Sequence, residues 1–238
     1  MTEAAATIGI LGGMGPLASA EFYGRLIELT PAADDQSHFP VVLWSEPSTP
    51  DRSAAILGDG VDPTPWLRDG LQALERLGAT LIAVPCNTAH HFLPAASDGI
   101  TVRVLDMVQE TCDRLARQRP RVRRVGLLGT PGLLTSGLYQ RRLKAAGIDC
   151  VTPGETQYGR VLEAITAVKA GDDLIHAGSI LAECAVALGG CDAILAACTE
   201  IPPALSRVEH GLPIVDPGLI LARRTIDLAT EQRGRTGR

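Results

Sequence analysis

Eight short aliphatic runs, separated by longer amphipathic stretches, decide what this chain can fold into. In the first half they are TIGILGG (7–13), VVLWS (41–45), LIAVPCN (81–87) and VRVLD (102–106). In the second half they are RVGLLGT (124–130), DCVTP (149–153), AILAACT (193–199) and LPIVD (212–216). Between them, WLRDGLQALERLGA (66–79), SGLYQRRLKAAG (136–147) and GSILAECAVALGG (178–190) carry helical periodicity. Gly78, Gly147 and Gly189 fall where helix C-terminal glycines belong. Strand and helix in this alternation are the pattern of βα units feeding a parallel sheet. Aromatic residues make up only 3% of the chain, so the core is assembled from Ala, Val, Ile and Leu. That suits helices packed closely over buried aliphatic strands.

The two halves match. The offset between equivalent residues drifts only from 117 (Gly9 to Gly126) through 112 (Cys86 to Cys198) to 110 (Asp106 to Asp216). An internal duplication is expected, giving two pseudo-symmetric α/β domains, each a small parallel sheet flanked by helices. The first spans residues 1–107, with a C-terminal helix at 217–230 packing back on it; the second spans 108–216. Ligands of parallel α/β sheets bind at the carboxyl ends of the strands. Cys86 and Cys198 each end the third strand of their half, so both thiols are expected to point into one interdomain cleft.

Other chemistries are poorly supported. A net charge of -5 gives no general attraction to polyanions, which argues against nucleic acid as a partner. No stretch reaches the ~18 apolar residues needed to span a bilayer, and the N-terminal run lacks a basic segment before it. A cytoplasmic location away from membranes is therefore expected, with the six cysteines reduced. The absence of C-x-x-C argues against structural zinc and dithiol redox chemistry, and no metal is expected. Cys112, Cys150 and Cys184 read as small buried hydrophobes, and the basic tail EQRGRTGR as a solvated end.

Cys86 and Cys198 differ from the other cysteines by their company. Inverting a centre α to a carboxylate requires removing a weakly acidic proton from one face and delivering one to the other. A pair of thiols suits this, because an unperturbed pKa of about 8.5 lets thiolate and thiol coexist near neutrality. PCNTAH places Asn87, Thr88 and His90 just after the first thiol; ACTE places Thr199 and Glu200 after the second. Backbone N–H groups at such strand-to-helix turns can accept a carboxylate or a developing enolate charge. His90 and Glu200 either tune and orient the thiols or cap the helices that follow. GMGPLA (13–18) also fits a relaxed dinucleotide pattern, but Glu46 lies beyond the usual spacing of the ribose acid. Gly12 and Gly13 are read instead as letting the backbone close around a small anion, with Met14 lining the pocket.

With GGMGP (12–16), DQSHFP (35–40), PDR (50–52), PCNTAH (85–90), TSGLY (135–139) and CTEIP (198–202) in this order, the chain resembles the aspartate/glutamate racemases of the Asp/Glu/hydantoin racemase superfamily. The resemblance runs from Gly9 to about Ala229. It implies a pyridoxal-independent, cofactor-free two-base mechanism on Cys86 and Cys198. It also implies that Arg52 and Lys169 bind the side-chain carboxylate of an acidic substrate. Asn87, Thr88, Thr130 and Thr199 would hold the α-carboxylate and amino group, and a homodimer is usual. On residue chemistry alone, Arg52 is equally a surface cation and Lys169 a cation at a helix end. Two departures stand near the expected cleft: Leu133 where a hydroxyl is common, and Ala197 where glycine usually precedes the second cysteine. The alternatives are an isomerase or racemase of the same superfamily on another substrate, such as maleate, a hydantoin or a non-acidic amino acid, and a non-catalytic amino-acid or dinucleotide-binding protein.

Overall fold

The computed structural model describes residues 6–236. In chain order the first elements are β1 (Ile8–Gly12), α1 (Pro16–Leu29), β2 (Val41–Ser45), α2 (Arg52–Leu57), α3 (Thr64–Arg76), β3 (Leu81–Ala83), α4 (Leu93–Ala96), β4 (Arg103–Val104) and α5 (Met107–Arg117). There follow β5 (Arg124–Gly129), α6 (Pro131–Ser136), α7 (Leu138–Ala145), β6 (Asp149–Val151), α8 (Glu155–Ala170), α9 (Leu174–Ala187), β7 (Ala193–Ala197), α10 (Ile201–Leu205), β8 (Ile214–Val215) and α11 (Pro217–Thr236). Every one of the eight aliphatic runs contributes a strand, and all pairings are parallel.

The chain divides into two compact units. The first comprises residues up to Pro50, Asp62–Met107 and the stretch from Gly218 onward; the second comprises Asp51–Val61 and Val108–Pro217. In the first, the sheet order is β2-β1-β3-β4. The period-two alternation of strand side chains sorts its core into two layers. Ile8, Ile10, Leu81 and Ala83 pack with Phe22 and Leu26 of α1 and Leu221 and Ile226 of α11. Leu11, Ile82 and Val84 pack with Leu67, Leu71 and Leu74 of α3 and Leu93 of α4.

In the second unit the order is β6-β5-β7-β8, the same arrangement. The duplication extends to register. Gly9 pairs with Ile82 and Gly126 with Ile194. A Cβ on either glycine would press on that isoleucine, at 3.2 and 2.8 Å respectively. Leu128, Ile194 and Ala196 pack with Val161 and Ile165 of α8, Leu181 and Ala185 of α9, and Ile201 and Leu205 of α10.

Four details depart from the sequence expectation, each for a local reason. The helix expected over 136–147 is α7, and a short helix not expected, α6, precedes it, ended by Gly137 in a left-handed conformation (φ 67°). The helix expected from 178 begins at Leu174, where the Asp173 carboxylate accepts from the Ile175 N–H at 2.8 Å. The C-terminal helix continues past 230 to Thr236. Arg233, in the tail read as a solvated end, donates to the carbonyls of Ser37 and His38 at 2.7 and 3.0 Å, and its guanidinium lies 3.7 Å over the Phe39 ring. Gly237 and Arg238, the last residues of that tail, lie outside the described residues, as do the first five residues of the chain. Finally, Asp51–Val61 leaves the unit that precedes and follows it in sequence and packs α2 against α6. Gly132 permits this approach, since a Cβ there would overlap the Cα of Ser53. Among the described residues no helix is long and apolar enough to cross a membrane.

Candidate active site

In the first unit, the two residues after β3 keep Cys86 on the layer of Ile82 and Val84, where it packs in one cluster with Met14. Its N–H turns back to the Val84 carbonyl at 2.8 Å, and the chain enters a tight 3-10 turn over Thr88–His91. Cys86 is 7% exposed; Asn87, Thr88 and His90 are buried beside it. Both ring nitrogens of His90 are within bonding distance of backbone groups: Nδ1 lies 2.8 Å from the Cys86 carbonyl, and Nε2 accepts the Met107 N–H at 3.0 Å. His90 thus bridges the Cys86 carbonyl and the Met107 N–H.

The β1–α1 loop supplies Gly12, Gly13 and Met14. Gly13 holds φ 93°, and a Cβ on it would collide with the backbone of Glu46, so only glycine fits. Its N–H donates to Ser19 Oγ at 2.9 Å, and the Ser19 hydroxyl donates to the Gly15 carbonyl at 2.8 Å. Ser19, nearly inaccessible, is a loop-positioning residue that the sequence reading passed over. Its one signal was a hydroxyl in the first turn of the helix that Pro16 opens.

In the second unit, Cys198 directly follows β7 and continues the layer of Ile194 and Ala196. It is 8% exposed, and its S–H donates to Glu200 Oε2 at 2.9 Å. The Thr199 hydroxyl donates to the same oxygen at 3.0 Å. Glu200 stands at the start of α10 without capping it; its carboxylate serves the thiol instead. Burial pushes the Cys198 thiol well above the ordinary cysteine range, the Glu200 charge adds to this, and the ammonium of Lys169 opposes it. Lys169 is exposed in the last turn of α8. Thr130 caps α6, its Oγ1 accepting the Leu133 N–H at 3.4 Å. Arg52 is the first residue of α2, half-buried, on the helix that packs against α6.

Leu133 is fully buried, its Cδ2 at 2.8 Å from where a Gly129 Cβ would stand, and Ala197, the residue before Cys198, is equally enclosed. The remaining cysteines are free thiols. Burial raises Cys150 to about 11, with neighbouring Cys191 adding to it, and burial likewise raises Cys184 and Cys191. At neutral pH the Cys150 thiol therefore stays protonated. Among the described residues no cluster of His, Cys, Asp or Glu could hold a metal ion.

A duplicated α/β fold with a buried cysteine at the same register of each sheet defines a class of enzyme. The family model described as Asp/Glu/Hydantoin racemase matches residues 11–225, and the chain belongs to that family. It is an amino-acid racemase. The Picrophilus torridus aspartate racemase is similar at 30% identity and a TM-score of 0.83, over 96% of this chain and 98% of that one. The broad specificity amino-acid racemase RacX of Bacillus subtilis (strain 168) is 28% identical over 177 residues, 73% of this chain and 75% of that protein. Glutamate racemase from Francisella tularensis, solved in complex with D-glutamate, shares the fold at a TM-score of 0.72 and 14% identity, over 96% of this chain and 82% of that one.

Proposed function

We propose that the protein racemises an acidic amino acid, aspartate or glutamate, without a cofactor, with Cys86 and Cys198 as its two bases. It would act as a cytoplasmic homodimer. The observation that carries this reading is the register match: each thiol stands four residues beyond the isoleucine paired with the first-strand glycine of its sheet. One thiolate removes the α-proton, and the C–H electron pair passes onto the α-carbon and its carboxylate. The opposite thiol delivers its proton to the other face and is left as thiolate. One proton leaves and one arrives, so no oxidant or reductant is needed. Asn87, Thr88, Thr130 and Thr199 would hold the α-carboxylate and amino group. The Thr199 hydroxyl donates its hydrogen bond to Glu200, so its oxygen would accept from the substrate ammonium. Arg52 and Lys169 would take the side-chain carboxylate.

A chiral assay over a panel of amino acids, with maleate included, tests this. Interconversion of L- and D-aspartate or glutamate, faster than that of any uncharged amino acid, is expected. A second reading keeps the thiols and widens the substrate, favoured by the broad-specificity name of the Bacillus relative; comparable rates across uncharged side chains would establish it. Turnover of maleate alone would replace both.

Glu200 gives the reaction a pH signature. Its carboxylate and burial both hold Cys198 protonated, against Lys169. Glu200→Gln keeps the shape and removes the charge, so Cys198 releases its proton at lower pH. In the direction where Cys198 is the acid, the alkaline limb of kcat moves down; in the direction where it is the base, the acid limb moves down. A fall in kcat of about 10-fold accompanies this, less than the ~10²–10⁴-fold for loss of a group that itself transfers the proton. Profiles measured in both directions with neither limb displaced would remove Glu200 from the mechanism.

A further inference from the structure

The repeat that aligns the two thiols also shows where the units differ. Four residues beyond Cys86 stands His90; four residues beyond Cys198 stands Pro202, whose ring has no polar atom to reach back. Two residues beyond Cys198 stands Glu200; the equivalent residue in the first unit is Thr88. Cys198 is thus held at its sulfur by a carboxylate, while the peptide of Cys86 is held from both ends, its N–H by Val84 and its carbonyl by His90.

The bonds of His90 dictate its protonation. A carbonyl can only accept, so Nδ1 carries the proton toward Cys86. The Met107 N–H can only donate, so Nε2 presents its lone pair. A second proton on the ring would have to displace Met107, in a site where His90 is 5% exposed and a charge is poorly solvated. Met107 is also the last residue before the chain crosses into the second unit. We propose that His90 is a neutral positioning residue, fixed as the Nδ1–H tautomer, that sets the Cys86 thiol by clamping its peptide to the crossover at Met107, and takes no part in proton transfer. This rests on the reading that Cys86 is a catalytic base.

Two measurements test it. In 15N-histidine NMR of the wild-type enzyme, with His90 assigned by its loss in His90→Asn, the ring should show a protonated Nδ1 and a bare Nε2 from about pH 5.5 to 8.5, near and beyond the ordinary histidine pKa. A ring that titrates in that range, or carries its proton on Nε2, overturns the proposal. In kinetics, His90→Ala should lower kcat by about 10- to 100-fold, as expected for a misplaced reacting group, with KM within about threefold. His90→Asn places an amide N–H where Nδ1 was and should recover most of the loss. His90→Gln, whose amide stands one bond further out, at the place of Nε2 and not of Nδ1, should not. Wild-type kcat in His90→Ala, or equal losses in the Asn and Ala variants, overturns the clamp. Cys86→Ala run alongside separates the two ideas, since a fully active Cys86→Ala enzyme sinks the two-thiol mechanism while leaving the tautomer result standing.

Discussion

Cys86→Ala and Cys198→Ala should each lower the rate of racemisation by at least about 10³-fold, within the range for losing a positioned acid or base. The two losses should differ in kind. Each variant keeps one thiol, which can still remove and return the α-proton on its own face. In deuterated solvent, Cys86→Ala should therefore exchange the α-proton of one enantiomer with retention, and Cys198→Ala that of the other. Neither should interconvert the two. Both cysteines are small, buried members of their core clusters, so alanine removes little volume and each variant should fold, as circular dichroism and thermal melting would verify. A variant that racemises at the wild-type rate, or exchange of both enantiomers by one variant, would end the two-base account.

The parts of this molecule that could be read from sequence are those governed by local pattern. Ile8, Ile10, Ile82, Ile194 and Ala196 announce strands because buried parallel strands need continuous aliphatic runs. The cysteine that closes such a run inherits its position from strand alternation. Cys86 and Cys198 therefore stand, with their polar followers, just beyond β3 and β7 as the pattern places them. What was not legible depends on where a side chain turns after the backbone is placed. His90 and Glu200 each had a capping role and a thiol-directed role open to them. The carboxylate goes to sulfur and the imidazole to the Cys86 carbonyl, a choice that no spacing encodes. Ser19 acts on the Gly13 loop only because Gly12 and Gly13 bring the backbone within reach of its hydroxyl. The excursion of α2 to the second unit turns on Gly132, a residue eighty positions from Arg52. That Leu133 fills the space beside Gly129 is likewise a matter of side-chain placement, not of spacing.

Arg52→Leu should lower kcat/KM for aspartate or glutamate by about 10²- to 10³-fold, while uncharged amino acids change by less than about threefold. The placement of Arg52 supports this more strongly than that of Lys169. A cation stabilises the C-terminal end of a helix and is disfavoured at the start, by about 0.3–1 kcal/mol. Lys169, in the last turn of α8, has a local reason to be there. Arg52, the first residue of α2, has none from its own helix, whose first turn is already satisfied by the Asp51 carboxylate accepting the Ala54 N–H at 2.7 Å. Its position is nevertheless set: Ser53, the next residue, lies against Gly132, two residues beyond Thr130 in the α6 turn. The backbone that carries Arg52 is held there, and a guanidinium fork matches a carboxylate with two charge-assisted hydrogen bonds. Losing them costs about 3–4 kcal/mol when each contributes about 1.5–2, which is the predicted factor. Such a loss should appear mainly in KM if the fork grips ground and transition states alike, and in kcat as well if it also aligns the α-carbon between the thiols. Unchanged kinetics toward aspartate and glutamate in Arg52→Leu would mean that the carboxylate is held elsewhere, and would move the substrate assignment toward uncharged amino acids with the thiol chemistry intact.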